Sequence, residues 1–169
     1  MSAPDPVPVG LPATLLLDTC VWLDNYLGCR PGSEAACRLV VTALERGFTL
    51  AYAAASVKDV HYIVAQTLKR ERRAAGGEVS EAAALADDQV AWACIENMRE
   101  IATAVGLDAS DVWLAEKYRT VHRDIEDNLV VAAVRRLGSG MLVTDDLDLI
   151  CHAPVPAMTP QDVLGLMGA

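Results

Sequence analysis

Short apolar runs alternate with longer segments of helical period along this chain, and that alternation constrains its fold more than any other feature. Leu15-Leu16-Leu17 is a brief apolar run ending in Asp18, the pattern of a strand buried on both faces with a polar residue at its carboxyl end. Phe48 to Tyr52 reads as a second strand, Met141 to Thr144 as a late one and Val155 to Met158 as the last. Ile101, Thr103 and Val105 alternate ahead of Gly106 and offer another. Between these runs, Ser33 to Arg46 has a helical pattern with Ser33 as N-cap and Gly47 as stop. Ser56 opens a helix through Val60, Val64 and Leu68 that leaves by Lys69-Arg70-Glu71-Arg72-Arg73 and breaks at Gly76-Gly77. From Ser80 a further helix sets Val90, Cys94, Met98 and Ile101 on one face. Asp108 and Asp111 stand as a capping pair, Asn128 to Leu137 is an apolar helical pattern stopped by Gly138, and Thr159-Pro160 opens a short closing helix.

This order predicts one three-layer α/β/α sandwich with a central, mainly parallel sheet over residues 14–169, behind a flexible lead at residues 1–13. A chain of 169 residues that is 53% hydrophobic suffices for one such core. In these sheets the functional crevice lies beyond the carboxyl ends of the strands, where the connection order reverses. Asp18 and Asp146 both fall at or just past such ends.

Charge and cysteine content narrow the function classes. With 23 Asp and Glu against 14 Lys and Arg, the formal net charge of −9 argues against broad adhesion to nucleic acid or anionic membrane, so any nucleic-acid contact must be local or bridged by cations. Cys20, Cys29, Cys37, Cys94 and Cys151 form no CxxC pair, and an odd number does not complete a disulfide framework. Reduced thiols, the absence of a basic and apolar leader in Met1 to Pro12, and no apolar stretch near the roughly 20 residues needed to span a bilayer predict a cytoplasmic protein with no membrane partner.

Each acidic residue taken alone has an ordinary structural use. Asp18 suits a strand-end turn, Asp146 within Thr144-Asp145-Asp146-Leu147-Asp148 suits Asx turns, and Asp59 completes a capping box with Ser56. Asp124, Glu126 and Asp127 precede a helix whose N-terminal dipole favours acids. The combination points elsewhere, because four separate segments each deliver a carboxylate to one end of the same sheet. Such crowding of anions is costly without a cation, and hard divalent ions with oxygen ligands, Mg2+ or Mn2+, are the natural compensation.

The segments Leu15-Leu16-Leu17-Asp18-Thr19-Cys20-Val21, Ser56-Val57-Lys58-Asp59-Val60, Asp124-Ile125-Glu126-Asp127-Asn128-Leu129 and Leu142-Val143-Thr144-Asp145-Asp146-Leu147-Asp148 resemble, in order and spacing, the four acidic motifs of PIN-domain nucleases. The resemblance extends to Met158-Thr159-Pro160-Gln161-Asp162 and so covers nearly the whole chain. It implies an endoribonuclease that uses Mg2+ or Mn2+, with RNA as substrate, and many bacterial members are toxins of type II toxin-antitoxin pairs silenced by a small antitoxin. By the same resemblance Asp18, Asp59, Asp127 and Asp146 are the catalytic acids, Asp18, Asp127, Asp146 and Asp124 the metal ligands, and Thr144 a supporting hydroxyl. Two positions depart from the pattern: Asp59 stands where glutamate is commoner, and Cys20 where Asn or Ser is frequent.

The remaining features add little chemistry. His61, His122 and His152 lack metal-ligand spacing, and no phosphate-cradling glycine motif is present. Trp22, Trp92 and Trp113 fall in apolar patterns and read as core or homodimer-interface residues. Lys69, Arg70, Arg72 and Arg73 are the densest positive charge and the candidate RNA contact, against the plainer reading of a solvated helix end. Two rivals remain: a phosphatase of the haloacid-dehalogenase type, which normally wants a second aspartate where Cys20 stands and a lysine later than Lys117, and a non-catalytic PIN-like binding module.

Overall fold

The computed structural model describes residues 10–77, 80–120 and 122–168. Five strands pair in parallel in the order β3-β2-β1-β4-β5: β1 is Thr14–Leu17, β2 Thr49–Ala53, β3 Ala102–Val105, β4 Gly140–Val143 and β5 Ala157–Met158. Helices α1 (Thr19–Tyr26), α2 (Ser33–Glu45), α3 (Ser56–Ala74), α4 (Glu81–Ile101), α5 (Ala109–Tyr118), α6 (Ile125–Leu137), α7 (Leu147–His152) and α8 (Pro160–Met167) cover it. Most of the expected lead over residues 1–13 lies outside the described residues. No helix among the described residues is long and apolar enough to cross a membrane, and all five cysteines are free.

The strands are uninterrupted apolar runs because the sheet buries both faces, and the period of two divides each run between two cores. Leu15, Leu17, Leu50, Tyr52, Met141 and Val143 pack with α1, α2, α3, α4 and α8. Leu16, Ala51, Ala53 and Leu142 pack with α6 and α7 on the opposite face. Connections from β1 run one way to β2 and β3, and from β3 the chain returns to the far side of β1 for β4 and β5. The carboxyl ends of β1 and β4, neighbours with Leu17 opposite Val143, therefore form the topological switch point.

Local signals account for much of this. Asp108 and Asp111 form a reciprocal capping box on α5, Ser80 caps α4, Thr159 caps α8 with Pro160 in the first turn, and Gly138 ends α6 at φ 71°, a conformation that favours glycine. Other expectations fail. Ser33 and Ser56 are the first residues inside their helices, preceded by Gly32 and Ala55, and neither helix has a side-chain cap. Asp59 therefore does not complete a capping box. Helix α1 has no counterpart in the sequence reading because Val21, Trp22, Leu23 and Asp24 are all buried, which leaves no amphipathic stripe. On α4 Met98 is buried and Cys94 and Ile101 pack against the core as expected, while Val90 is exposed and Asp87 and Ala91 take the buried positions of the earlier turns. Trp22 is core, stacked on Tyr26 and edge-on to Tyr52, whereas Trp92 and Trp113 are exposed and are not core residues.

Buried Asp87 explains how α3 and α4 lock together. Both its oxygens accept from the Arg72 guanidinium, one at 2.8 Å, in a forked ion pair. Arg72→Ala should orphan this buried carboxylate and destabilise the fold by about 2 kcal/mol, read as a fall in Tm of about 4–8 °C in thermal unfolding. Arg73→Ala, with no such buried partner, should stay within about 0.5 kcal/mol of the parent.

Candidate active site

Where β1 ends, Asp18 turns the chain into α1, its Oδ1 accepting from the Thr19 N–H at 2.6 Å. One strand over, Thr144 follows β4, and its buried hydroxyl donates to Asp18 Oδ2 at 2.7 Å while accepting from the Asp146 N–H at 3.1 Å. The Cys20 thiol also donates to Asp18 Oδ2, at 3.4 Å. The two strand ends are thus stitched together by one hydroxyl, and Asp18 is fixed by three donors. Asp146 caps α7, accepting from the N–H groups of Asp148 and Leu149.

Two more elements complete the cleft. Asp127 lies in the first turn of α6, 2.9 Å from Nδ1 of His122. The buried Asn128 amide donates to the His122 carbonyl at 2.9 Å and so holds the histidine's backbone against α6. Asp59 lies in the first turn of α3, and Lys58 lies 3.3 Å from Asp59 and 3.7 Å from Glu126, spanning the rim between α3 and α6. Asp18, Asp59, Asp127 and Asp146 line one cavity of about 670 Å³. Asp124 caps α6 through the Glu126 N–H and is absent from that lining, although its charge is felt by Asp127.

The acids disturb one another as crowding demands. Burial, and secondarily the charge of Asp146, raise the Asp18 carboxyl above its ordinary value against the pull of its hydrogen bonds. Asp127 is pushed up to about 6, first by burial and then by Asp18, with Asp124 and Asp146 adding and His122 opposing. Oxygens of Asp127 and Asp146 and a ring nitrogen of His122 all lie within 4.8 Å of one another. Two carboxylates and an imidazole, with further anions nearby, make a donor set that fits a divalent cation.

The four acids singled out from the sequence therefore share one cleft, with Thr144 beside Asp18. Two cleft residues, Lys58 and Arg30, and His122 beside Asp127 escape sequence reasoning. Lys58 stands next to Asp59 and carried a usable signal; His122 and Arg30 sit in connecting segments with no periodicity to mark them. The dismissal of His122 as scattered is corrected by its contact with Asp127. The basic run divides. Arg72 is committed to Asp87, so it is withdrawn as a free RNA contact, while Lys69, Arg70 and Arg73 line a groove of about 420 Å³ that shares Tyr62 and Ile63 with the acidic cleft.

Solved structures with a similar fold include VapBC2 from Rickettsia felis bound to a DNA fragment from its promoter, at 10% identity over 86% of this chain and 98% of that one, with a TM-score of 0.58. Another is VapC20 from Mycobacterium tuberculosis, a sarcin-ricin loop cleaving toxin, at 10% identity over 76% of this chain and 86% of that one, with a TM-score of 0.57. FitAcB from Neisseria gonorrhoeae is 16% identical over 87% of this chain and 98% of that one, with a TM-score of 0.57. At such identities the likeness establishes a common fold. No curated protein sequence matches the chain. The PIN domain family model matches residues 14–148, from β1 into α7, a span that contains every acid of the cleft, and the chain accordingly belongs to the PIN domain family, a family of nucleases.

Proposed function

We propose that this PIN domain is a divalent-metal-dependent endoribonuclease of the cytoplasm, acting as the toxin of a type II toxin-antitoxin pair. The observation that carries the nuclease reading is the meeting of Asp18, Asp59, Asp127 and Asp146, from four separate segments, in one cleft at the switch point. The toxin reading is supported by the neighbours, which include a VapBC complex and an RNA-loop-cleaving toxin. An antitoxin protein is then the expected partner, and a homodimer the expected assembly. The phosphatase rival has nothing in its favour here, since Cys20 supplies only a thiol hydrogen bond to Asp18.

Asp127, Asp146 and His122 would hold Mg2+ or Mn2+, with Asp18 contributing charge from behind and Asp124 from the helix end. A cation bound there supplies phosphate charge neutralisation and acidifies water for attack on the phosphodiester. Thr144 and the Thr19 N–H hold Asp18 in one rotamer, so its position does not depend on substrate. Lys58 offsets Asp59 and Glu126 at the rim, where RNA must pass. Lys69, Arg70 and Arg73 extend positive charge along α3 from the cleft edge and form the proposed RNA contact.

Incubation of the protein with total RNA tests the reading. Cleavage should be absent in EDTA, return with Mg2+ or Mn2+, and be lost in each of Asp18→Asn, Asp127→Asn and Asp146→Asn without loss of fold. Undiminished cleavage in chelator overturns the mechanism, and metal binding with no cleavage favours the non-catalytic module.

Acidification gives an independent check. Asp127 in the folded state holds its proton up to about 6, above the ordinary aspartate value of 3.8, so the ionised form is disfavoured by folding and its penalty is present above that pH. A cation needs the ionised form and relieves the penalty. The rise in Tm produced by Mn2+ should therefore shrink as pH falls from about 7.5 to about 5, and Asp127→Asn should flatten that dependence. A Mn2+ shift that is constant across this window would remove Asp127 from the ligand set.

Charge in the groove can be probed with Arg72 left in place. Replacing Lys69, Arg70 and Arg73 by alanine should weaken RNA binding and reduce the slope of log affinity on log salt by roughly 2, at about 0.7 per single-strand phosphate contact. Parental binding over a salt series would return the run to an ordinary solvated helix end.

A further inference from the structure

Resting on the nuclease reading, we infer that Arg30 is a phosphate-binding residue of the acidic cleft, its guanidinium anchored by buried Asp24 so that it meets the substrate backbone beside the acids. Arg30 lies in the connection between α1 and α2, which is tied down on both sides: its own N–H donates to the Leu27 carbonyl at 3.0 Å, and its carbonyl accepts from the Ser33 N–H at 3.1 Å. From there the side chain reaches back to α1, where Arg30 Nε donates to Asp24 Oδ1. Asp24 is only 5% exposed, so this anchor is rigid. The connection closes over the pair because Gly32 has no side chain. A Cβ there would lie 2.0 Å from Asp24 Oδ2 and 3.3 Å from Asp145 Oδ2.

Anchoring through Nε leaves the two terminal nitrogens of Arg30 without hydrogen-bond partners among the described residues, and Arg30 lines the same cleft as Asp18, Asp127 and Asp146. A guanidinium with that edge open presents paired donors to phosphate oxygens, which an ammonium cannot do. The plainer account is that Arg30 only neutralises Asp24 and the neighbouring Asp145. Stability alone explains the pair poorly, since apolar side chains of similar volume commonly do as well as a buried ion pair. Nor does it explain why the guanidinium borders the cleft. Lys58, on the same cavity lining, is largely exposed and shared between Asp59 and Glu126, whereas Arg30 is anchored by a buried carboxylate with Asp145 as its other acidic neighbour, so Arg30 is the better-anchored cation.

Two variants test this. In Asp24→Asn with Arg30→Gln, the ion pair leaves as a unit, and the nearby Asp145 loses one cation and one anion together; in Arg30→Lys, one ammonium faces Asp24 and no open fork remains. Binding is read in an Asp127→Asn background across a salt series, cleavage is read with Mn2+ in the otherwise parental chain, and thermal unfolding monitors the fold. The neutral pair should lower the salt slope by roughly 0.7 and cleavage by roughly 100-fold, with millimolar guanidinium restoring part of the rate and the Mn2+ shift in Tm unchanged. Arg30→Lys should retain the fold and lose most of the cleavage, which decides the matter if the neutral pair fails to fold. A parent that cuts RNA while folded variants cut at its rate with its salt slope overturns the assignment of Arg30 alone. A parent that neither binds nor cuts RNA overturns the nuclease reading and this inference with it.

Discussion

The parallel pairing of β1 with β4 is the constraint on which the rest of the molecule depends. With Leu17 opposite Val143, the next residue of each strand, Asp18 and Thr144, emerge side by side at the edge of the sheet. The ladder continues one step further, through the Asp18 N–H to the Val143 carbonyl at 3.0 Å, and the Thr144 hydroxyl then closes the gap between side chains. Slipping this register by one residue would send the apolar side chains of β1 to the wrong core and Asp18 into the sheet interior. The packing of two cores and the placing of the first acid are thus one decision.

That placement opposes local stability. Asp18 is buried in a setting that favours its neutral form, and Asp127 is driven the same way by burial and by its neighbours. Helix capping and the N-terminal dipole favour Asp124, Asp146, Asp59 and Asp127 one by one, but nothing in folding alone calls for acids from the β1 end, α3, α6 and the β4 end to meet. Unfavourable electrostatics concentrated in one cavity of an otherwise well-packed domain is the mark of a site arranged for a ligand of opposite charge.

How much of this was legible in the sequence follows from the range of each interaction. Strands buried on both faces announce themselves as short apolar runs, and the box on α5 and the Thr159-Pro160 start are contained within four residues, so both could be read locally. Asp18 and Asp146 could be gathered because each follows the carboxyl end of such a strand, whereas Asp59 and Asp127, inside the first turns of α3 and α6, joined them only through the order and spacing of the four acidic segments. Helix α1 could not be read, since a helix buried all round has no periodic stripe, and the serines at 33 and 56 mislead because a serine one position inside a helix looks identical in sequence to one that caps it. His122 and Arg30 reach the cleft from connections whose paths are set by tertiary contacts, to Asn128 in one case and Asp24 in the other. The commitment of Arg72 to Asp87 is invisible for the same reason, because the partners belong to different helices.

A net charge of −9 is ill suited to a substrate that is itself an anion, yet the cations of this chain are not spread evenly. Some are consumed by architecture: Arg72 by Asp87, Arg136 by Asp108 and Asp111, and Arg46 by the Met167 carbonyl. Others line the cleft or the groove that continues from it: Lys58, Arg30, Lys69, Arg70 and Arg73. Over distances beyond about 10 Å at ordinary ionic strength the excess of acids is screened, so a phosphate near the cleft responds to these local cations rather than to the total. An acidic exterior then discourages non-specific adhesion, and the cleft and its basic extension can retain a strand that arrives in the right place. Net charge in such a protein limits where an anion can bind, and the arrangement of a few cations leaves the margin of the acidic cleft as the least repulsive place for one.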